Sequence, residues 1–130
     1  MTIHEIKTYK RNALINVTAE VREAVRKSGV EEGTVTVYCP HTTAGFTINE
    51  NADPDVCTDL LAALEALVPK VNFRHMEGNS DAHLKASLMG ASVTVPVKDG
   101  EPVLGIWQGI YFCEFDGPRN RKFYVSVNGR

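Results

Sequence analysis

Two stretches of the chain alternate apolar and polar residues with a period of two. Val93, Val95 and Val97 share one face, and Phe123, Val125 and Val127 share another further on. Only an extended backbone puts residues i, i+2 and i+4 on the same side. A strand that wets one face and buries the other belongs to antiparallel sheet packed against a core. Between these stretches, Lys98 to Glu101 reads as a turn and Val103 as the start of a return strand. Ile110 to Phe115 reads as a further strand, followed by a turn at Asp116-Gly117-Pro118.

The first half mixes strands with helices. Residues 2–10 are weakly strand-like and suit a sheet edge. A helix is expected from Asn16, a capping residue, to Ser28, with Val17, Val21 and Val25 on one stripe and Gly29 as its stop. Glu31-Glu32-Gly33 reads as a turn, and Thr34 to Tyr38 and Gly45 to Ile48 as strands. The plainest helix starts with Asp53 as cap and Pro54 at the first helical position. It carries Val56, Leu60, Leu64 and Leu67 as its stripe and stops at Pro69. Lys70 to Asn79 reads as loop, and Ser80 as the cap of a short helix ending at Gly90. Strands at both ends with helices between them predict an α+β fold dominated by antiparallel sheet. With no linker or repeat, residues 1–130 read as one domain.

Composition bounds the function. A net charge of −2, from 14 basic and 16 acidic residues, gives no general basic field for gripping nucleic acid. No apolar run approaches the ~20 residues that cross a bilayer. Met1 to Lys10 lacks a signal-peptide core, so no membrane association and a cytoplasmic setting are expected. Cys39, Cys57 and Cys113 form no CxxC pair and read as small buried hydrophobes.

Three polar segments carry the residues suited to chemistry. The first runs from Pro40-His41-Thr42-Thr43 into Asn49-Glu50-Asn51-Ala52-Asp53. There Asp53 reads as a helix cap, whereas Asn49 and Glu50 are not both needed by any turn or cap. The second is His75 to His83, with Asn79 and Asp81 inside it. His75 and His83 flank a Gly-Asn loop that can fold them onto one site, and with His41 they would make three imidazoles for zinc with a position open to water or substrate. The alternative is that each is a hydrogen-bonded structural histidine; His4 reads as surface. The third holds Trp107, Gln108, Asp116, Arg119 and Arg121. Arg119 and Arg121 are either a solvated edge that discourages sheet pairing or a fork for phosphate or carboxylate.

Together the segments resemble the YjbQ family, often described as secondary thiamine-phosphate synthases. The resemblance lies in PHTTAGFTINENADPDV, HMEGNSDAHLKASLMG and LGIWQGIYFCEFDGPRNRKF and runs almost from end to end. It implies a mainly antiparallel two-sheet β-sandwich with about three helices, assembled as a homotrimer. It also implies that His41, His75 and His83 converge on a divalent metal, zinc on ligand type, or on an anion. His41, Asn49, Glu50, Asp81 and His83 would then be catalytic, and Asn79, Gln108, Asp116, Arg119 and Arg121 would bind the substrate anion. Ile106 departs from the threonine usual in the family.

The implied activity joins a pyrimidine diphosphate to a thiazole phosphate and releases pyrophosphate, so the partner expected is a small phosphorylated metabolite. Such a step needs a departing diphosphate stabilised and water kept from a carbocation-like carbon, the latter a use for Trp107 unless it is a core residue. Three imidazoles suit water activation better. A zinc metallohydrolase using Glu50 or Asp81 as base therefore stands as an alternative, as does a non-catalytic trimeric module that binds a phosphorylated ligand.

Overall fold

A computed structural model describes residues 1–69, 71–75 and 78–130. Lys70, Met76 and Glu77 of the expected 70–79 loop lie outside the described residues. Eleven elements follow one another among them: β1 (Thr2–Lys7), β2 (Ala13–Asn16), α1 (Thr18–Ser28), β3 (Glu32–Tyr38), β4 (Ala44–Glu50), α2 (Pro54–Leu67), α3 (Ser80–Met89), β5 (Ser92–Lys98), β6 (Glu101–Pro102), β7 (Gln108–Glu114) and β8 (Asn120–Gly129). The strands form a five-stranded sheet in the order β1-β8-β3-β5-β6 and a three-stranded sheet in the order β2-β7-β4. Every ladder is antiparallel. The fold is α+β with two antiparallel sheets and three helices, as expected.

The period-two residues meet as predicted. Register aligns Val35 with Val95 and Val127, and Val37 with Val93 and Val125, so the valines of β3, β5 and β8 make one apolar face. Against it pack Phe46, Ile110 and Phe112 of the smaller sheet, with Val21, Ala24 and Val25 of α1 closing the same core. Phe46 lies edge-on to Phe112 and Phe123, with centroids 5.4 and 5.6 Å away. The other face of the small sheet is covered by helices. Leu64 of α2 and Ala82 and Ala86 of α3 bury Tyr111, Cys113 and Phe115. β7 is therefore a wall between two cores, and this is why its sequence reads as an unbroken apolar run.

Local signals explain the start of α2 and the end of α1. Asp53 accepts a hydrogen bond from the Asp55 amide at 2.9 Å, with Pro54 opening α2. Gly29 ends α1 with φ 73°, a conformation that costs glycine nothing.

Several boundaries differ from expectation. Asn16 ends strand β2, a strand absent from the sequence reading, and Val17 takes the cap position of α1. The Asn16 side chain still accepts from the Thr18 amide at 3.0 Å, which is why its residue type reads as a cap. Asn79 instead of Ser80 caps α3, its side chain turned to Asp116. β3 already starts at Glu32, within the expected turn, and β6 ends at Pro102, before Val103. His4 is not simply surface: it is half-buried and stacks on Phe123 at 5.0 Å.

Helix α3 sits against β4 at Gly45. A Cβ there would stand 2.5 Å from the Gly90 carbonyl, a backbone atom that cannot step aside alone. The Phe46 amide donates to that same carbonyl at 3.0 Å, which locks the end of α3 to the strand. Gly45→Ala is therefore expected to cost about 1–3 kcal/mol, as overpacking does, measured by urea unfolding.

Candidate functional site

At the end of the sandwich where β7 finishes and β8 begins, two charged side chains point inward from opposite sheets. Glu114 continues the inward register of Ile110 and Phe112, and Arg121 that of Phe123 and Val125. Both are buried, and they form an ion pair through Arg121 Nη2 and Glu114 Oε2. Arg121 Nε donates to Glu114 Oε1 at 2.8 Å, and Nη2 donates to Thr43 Oγ1 at 2.8 Å. The Thr8 hydroxyl and the Asp116 amide complete the carboxylate's shell at 2.7 and 3.0 Å. Burial alone would raise the Glu114 carboxyl, but these hydrogen bonds, Arg121's first, hold it below the usual range. The Arg119 amide donates to Thr8 Oγ1 at 3.0 Å, which ties the entry of β8 to the segment after β1.

On this base lies a cleft of about 310 Å³ lined by Pro40, His41, Thr42, Thr43, Asn79, His83, Asp116, Arg119 and Arg121. Asp116 accepts from Asn79 Nδ2 and Arg119 Nη2, each at 2.9 Å, so the rim arginine and the cap of α3 are fixed to one carboxylate. Asn79 Oδ1, also buried, finds no donor among the described residues. His41 is held below the ordinary histidine value by burial first and then by the Arg121 charge beside it. A second hollow of about 510 Å³ shares His41, Thr42 and His83 and runs along α3 past Ala86, Ser87 and Gly90.

Most of the predicted site residues fall into two groups. His41, Asn79, His83, Asp116, Arg119 and Arg121 come together at this cleft. Asn49, Glu50 and Gln108 do not. Glu50 pairs with Gln108 at the far end of the β4–β7 ladder from the Ala44–Glu114 pair, six residues or ~20 Å along the strand. There the Asn49 side chain accepts from the Glu50 amide at 2.8 Å, Glu50 from the Ala52 amide at 2.9 Å, and Gln108 from the Gly105 amide at 2.7 Å. Tyr111 donates to the Glu50 carbonyl at 2.7 Å, and its hydroxyl is pushed up to about 12 by burial first and then by Cys57. Trp107 and Ile106 also lie at that end, 61% and 83% exposed, so Trp107 neither shields the cleft nor belongs to a core.

Three further expectations change. Arg119 and Arg121 do not act as a fork: β8 starts at Asn120, and Arg121 turns inward to Glu114 while Arg119 stays outside on Asp116. Asp81 is held by Arg11 Nη2 at 3.0 Å and is not part of the cleft lining. His75 lies 5.4 Å from His83, ring edge to ring face, but no three His, Cys, Asp or Glu side chains converge on a metal position among the described residues. Among the described residues the His75–His83 pair thus has no third such ligand converging with it.

The cysteines are free, and Cys39 and Cys113 are buried, with both thiols raised chiefly by burial, Cys113 to about 12. No described helix is long and apolar enough to cross a membrane.

Sequence reasoning passed over Glu114, Thr8 and Lys85. Glu114 was discoverable as a charge in the inward register of a strand otherwise buried. Lys85 is 1% exposed, paired with Glu65 and 6.0 Å from the Phe115 ring centroid, and no local pattern announces it.

Two antiparallel sheets, three helices and a donor-lined cleft at the strand ends define the class as a two-sheet α+β domain. The chain belongs to the UPF0047 protein YjbQ-like family, whose model matches residues 2–130. A UPF0047 protein of Methanocaldococcus jannaschii is 55% identical over 127 residues, covering 97% of this chain and 92% of that protein. The UPF0047 protein YugU of Bacillus subtilis is 52% identical, covering 96% of each. A crystal structure of a YjbQ/UPF0047 family protein from Clostridium acetobutylicum superposes with a TM-score of 0.96 at 52% identity, over 98% of this chain and 100% of that one.

The buried pair sets an acid limit on the fold. A carboxyl lowered on folding contributes fully above its unfolded value of about 4.3, and the contribution is lost as pH falls through the lower folded value. Glu114→Gln is expected to destabilise by about 3–5 kcal/mol at neutral pH, because Arg121 is left buried without a counter-charge. In denaturant titrations the gap from wild type should narrow as the pH is taken down through the acid range.

Proposed function

We propose that the chain binds a small phosphorylated metabolite in the His41–His83 cleft and acts on it as a transferase, with thiamine phosphate formation as the reaction to assay first. One observation carries the reading. The cleft gathers two guanidinium groups, two imidazoles and two threonines, while its one lining carboxylate, Asp116, is already occupied by Arg119 and Asn79. Because each arginine is matched by a carboxylate, attraction rests on directed N–H and O–H donors and not on surplus charge. A volume of about 310 Å³ suits a phosphoryl head group, and the neighbouring hollow along α3 suits an organic body. In the transfer reaction the departing pyrophosphate would take its hydrogen bonds from Arg119 and the imidazoles as the carbon–oxygen bond breaks.

The homotrimer belongs to the same proposal. Neighbouring copies offer a way for the Asn49, Glu50 and Gln108 end of one chain to meet the cleft of another. Gel filtration that finds only monomer sinks that arrangement. A zinc hydrolase reading draws support from the His75–His83 pair alone; stoichiometric zinc, lost in His75→Ala and His83→Ala, would favour it.

Calorimetric titration with inorganic phosphate tests the cleft, and Arg119→Ala should weaken binding about tenfold, the worth of one hydrogen bond to a charged group. Thiamine phosphate formation from the two phosphorylated precursors tests the reaction. Equal rates in wild type and His83→Ala would remove it from this site.

A further inference from the structure

β3 pairs with β8 only from Gly129 back to Tyr124, whereas β8 runs on to Asn120. Over these last residues β1 still covers one edge of β8, but the other edge has lost its strand. His41 takes the vacated place. Its Nε2 stands 3.0 Å from the Lys122 amide nitrogen and 3.1 Å from the Lys122 carbonyl oxygen. One ring nitrogen cannot serve both. It carries either a lone pair, which the amide satisfies, or a proton, which the carbonyl takes.

The choice follows from the cost of each leftover group. With a proton on Nε2, two hydrogens face each other and the Lys122 amide is orphaned. With a lone pair there, the amide is satisfied and only a carbonyl is short of a partner. Folded proteins tolerate an under-satisfied carbonyl far better than an orphaned N–H.

We infer that His41 is the neutral tautomer with its proton on Nδ1, and that this N–H donates to an oxyanion oxygen of the molecule in the cleft. No described residue hydrogen-bonds to Nδ1, and His41 lines the cleft. The inference rests on the phosphate-binding reading and narrows it. With Nε2 engaged by the backbone and Nδ1 protonated, His41 has no lone pair left for a metal. It is a fixed donor built into the sheet edge, and the atom it meets is an unprotonated phosphoryl or carboxylate oxygen.

The test is a long-range proton–nitrogen spectrum of the full chain labelled with nitrogen-15 histidine, with His41 assigned by the signal missing in His41→Asn. The expected result is an unprotonated Nε2, a protonated Nδ1, and movement of the Nδ1 resonance on adding inorganic phosphate. Two near-isosteres supply a second reading, because an asparagine amide reaches where Nδ1 stands and a glutamine amide where Nε2 stands. His41→Gln should keep its thermal stability and lose about tenfold or more in phosphate affinity, while His41→Asn should bind phosphate better than His41→Gln yet melt earlier. A protonated Nε2 in the phosphate-bound protein, or a His41→Gln variant that binds phosphate like wild type, overturns the inference alone. Wild type that takes up no phosphate overturns the reading of the cleft, and the donor role with it.

Discussion

The Glu114–Arg121 ion pair is the interaction on which the rest of the architecture depends. It joins the core-facing sides of the two sheets where neither has an apolar residue to offer, and it draws in Thr8, Thr43 and the Asp116 amide. A buried pair of this kind gains little over a well-packed apolar pair. What it gives is position: three segments distant in sequence, at Thr8, Thr43 and 114–121, are held together around one ion pair. The cleft is the outer surface of that arrangement, so its walls are stiff because its floor is.

The same logic gives the cleft oriented donors without a strong positive field. Arg121 spends its directed hydrogen bonds on Glu114 and Thr43, and Arg119 spends two on Asp116. The groups left facing outward are oriented by those bonds before any ligand arrives. Preorganised donors lose little on binding, which favours a ligand of fitting shape over any anion at large.

Much of the fold was legible because period and capping are local properties. The valines of β5 and β8, the Asp53-Pro54 start of α2 and the glycine stop of α1 all announce themselves within a few residues. β2 did not, since four residues from Ala13 to Asn16 are too few for a period and Asn16 gives the signal of a helix cap. The site was legible as residue types and not as a place. Asn49 and Glu50 lie close in sequence to His41, but β4 is extended and carries them to its other end. Conversely, Thr8 is remote in sequence and arrives through the β1–β8 pairing. Lys85 shows the same limit, because a buried lysine is defined by what surrounds it.

The double-sided burial of β7 has a further consequence for how the molecule moves. Its even-numbered residues belong to the sandwich and its odd-numbered ones to the helical layer. Lifting α3 away would bare Phe115 and, on β7 itself, Tyr111 and Cys113, whose strand holds Ile110 and Phe112 on its opposite side. The two layers thus share one spine, and loosening either weakens the packing of the other. Breathing motions at His83 are then confined to the ends of α3, while the β7 amides stay among the last to exchange with solvent.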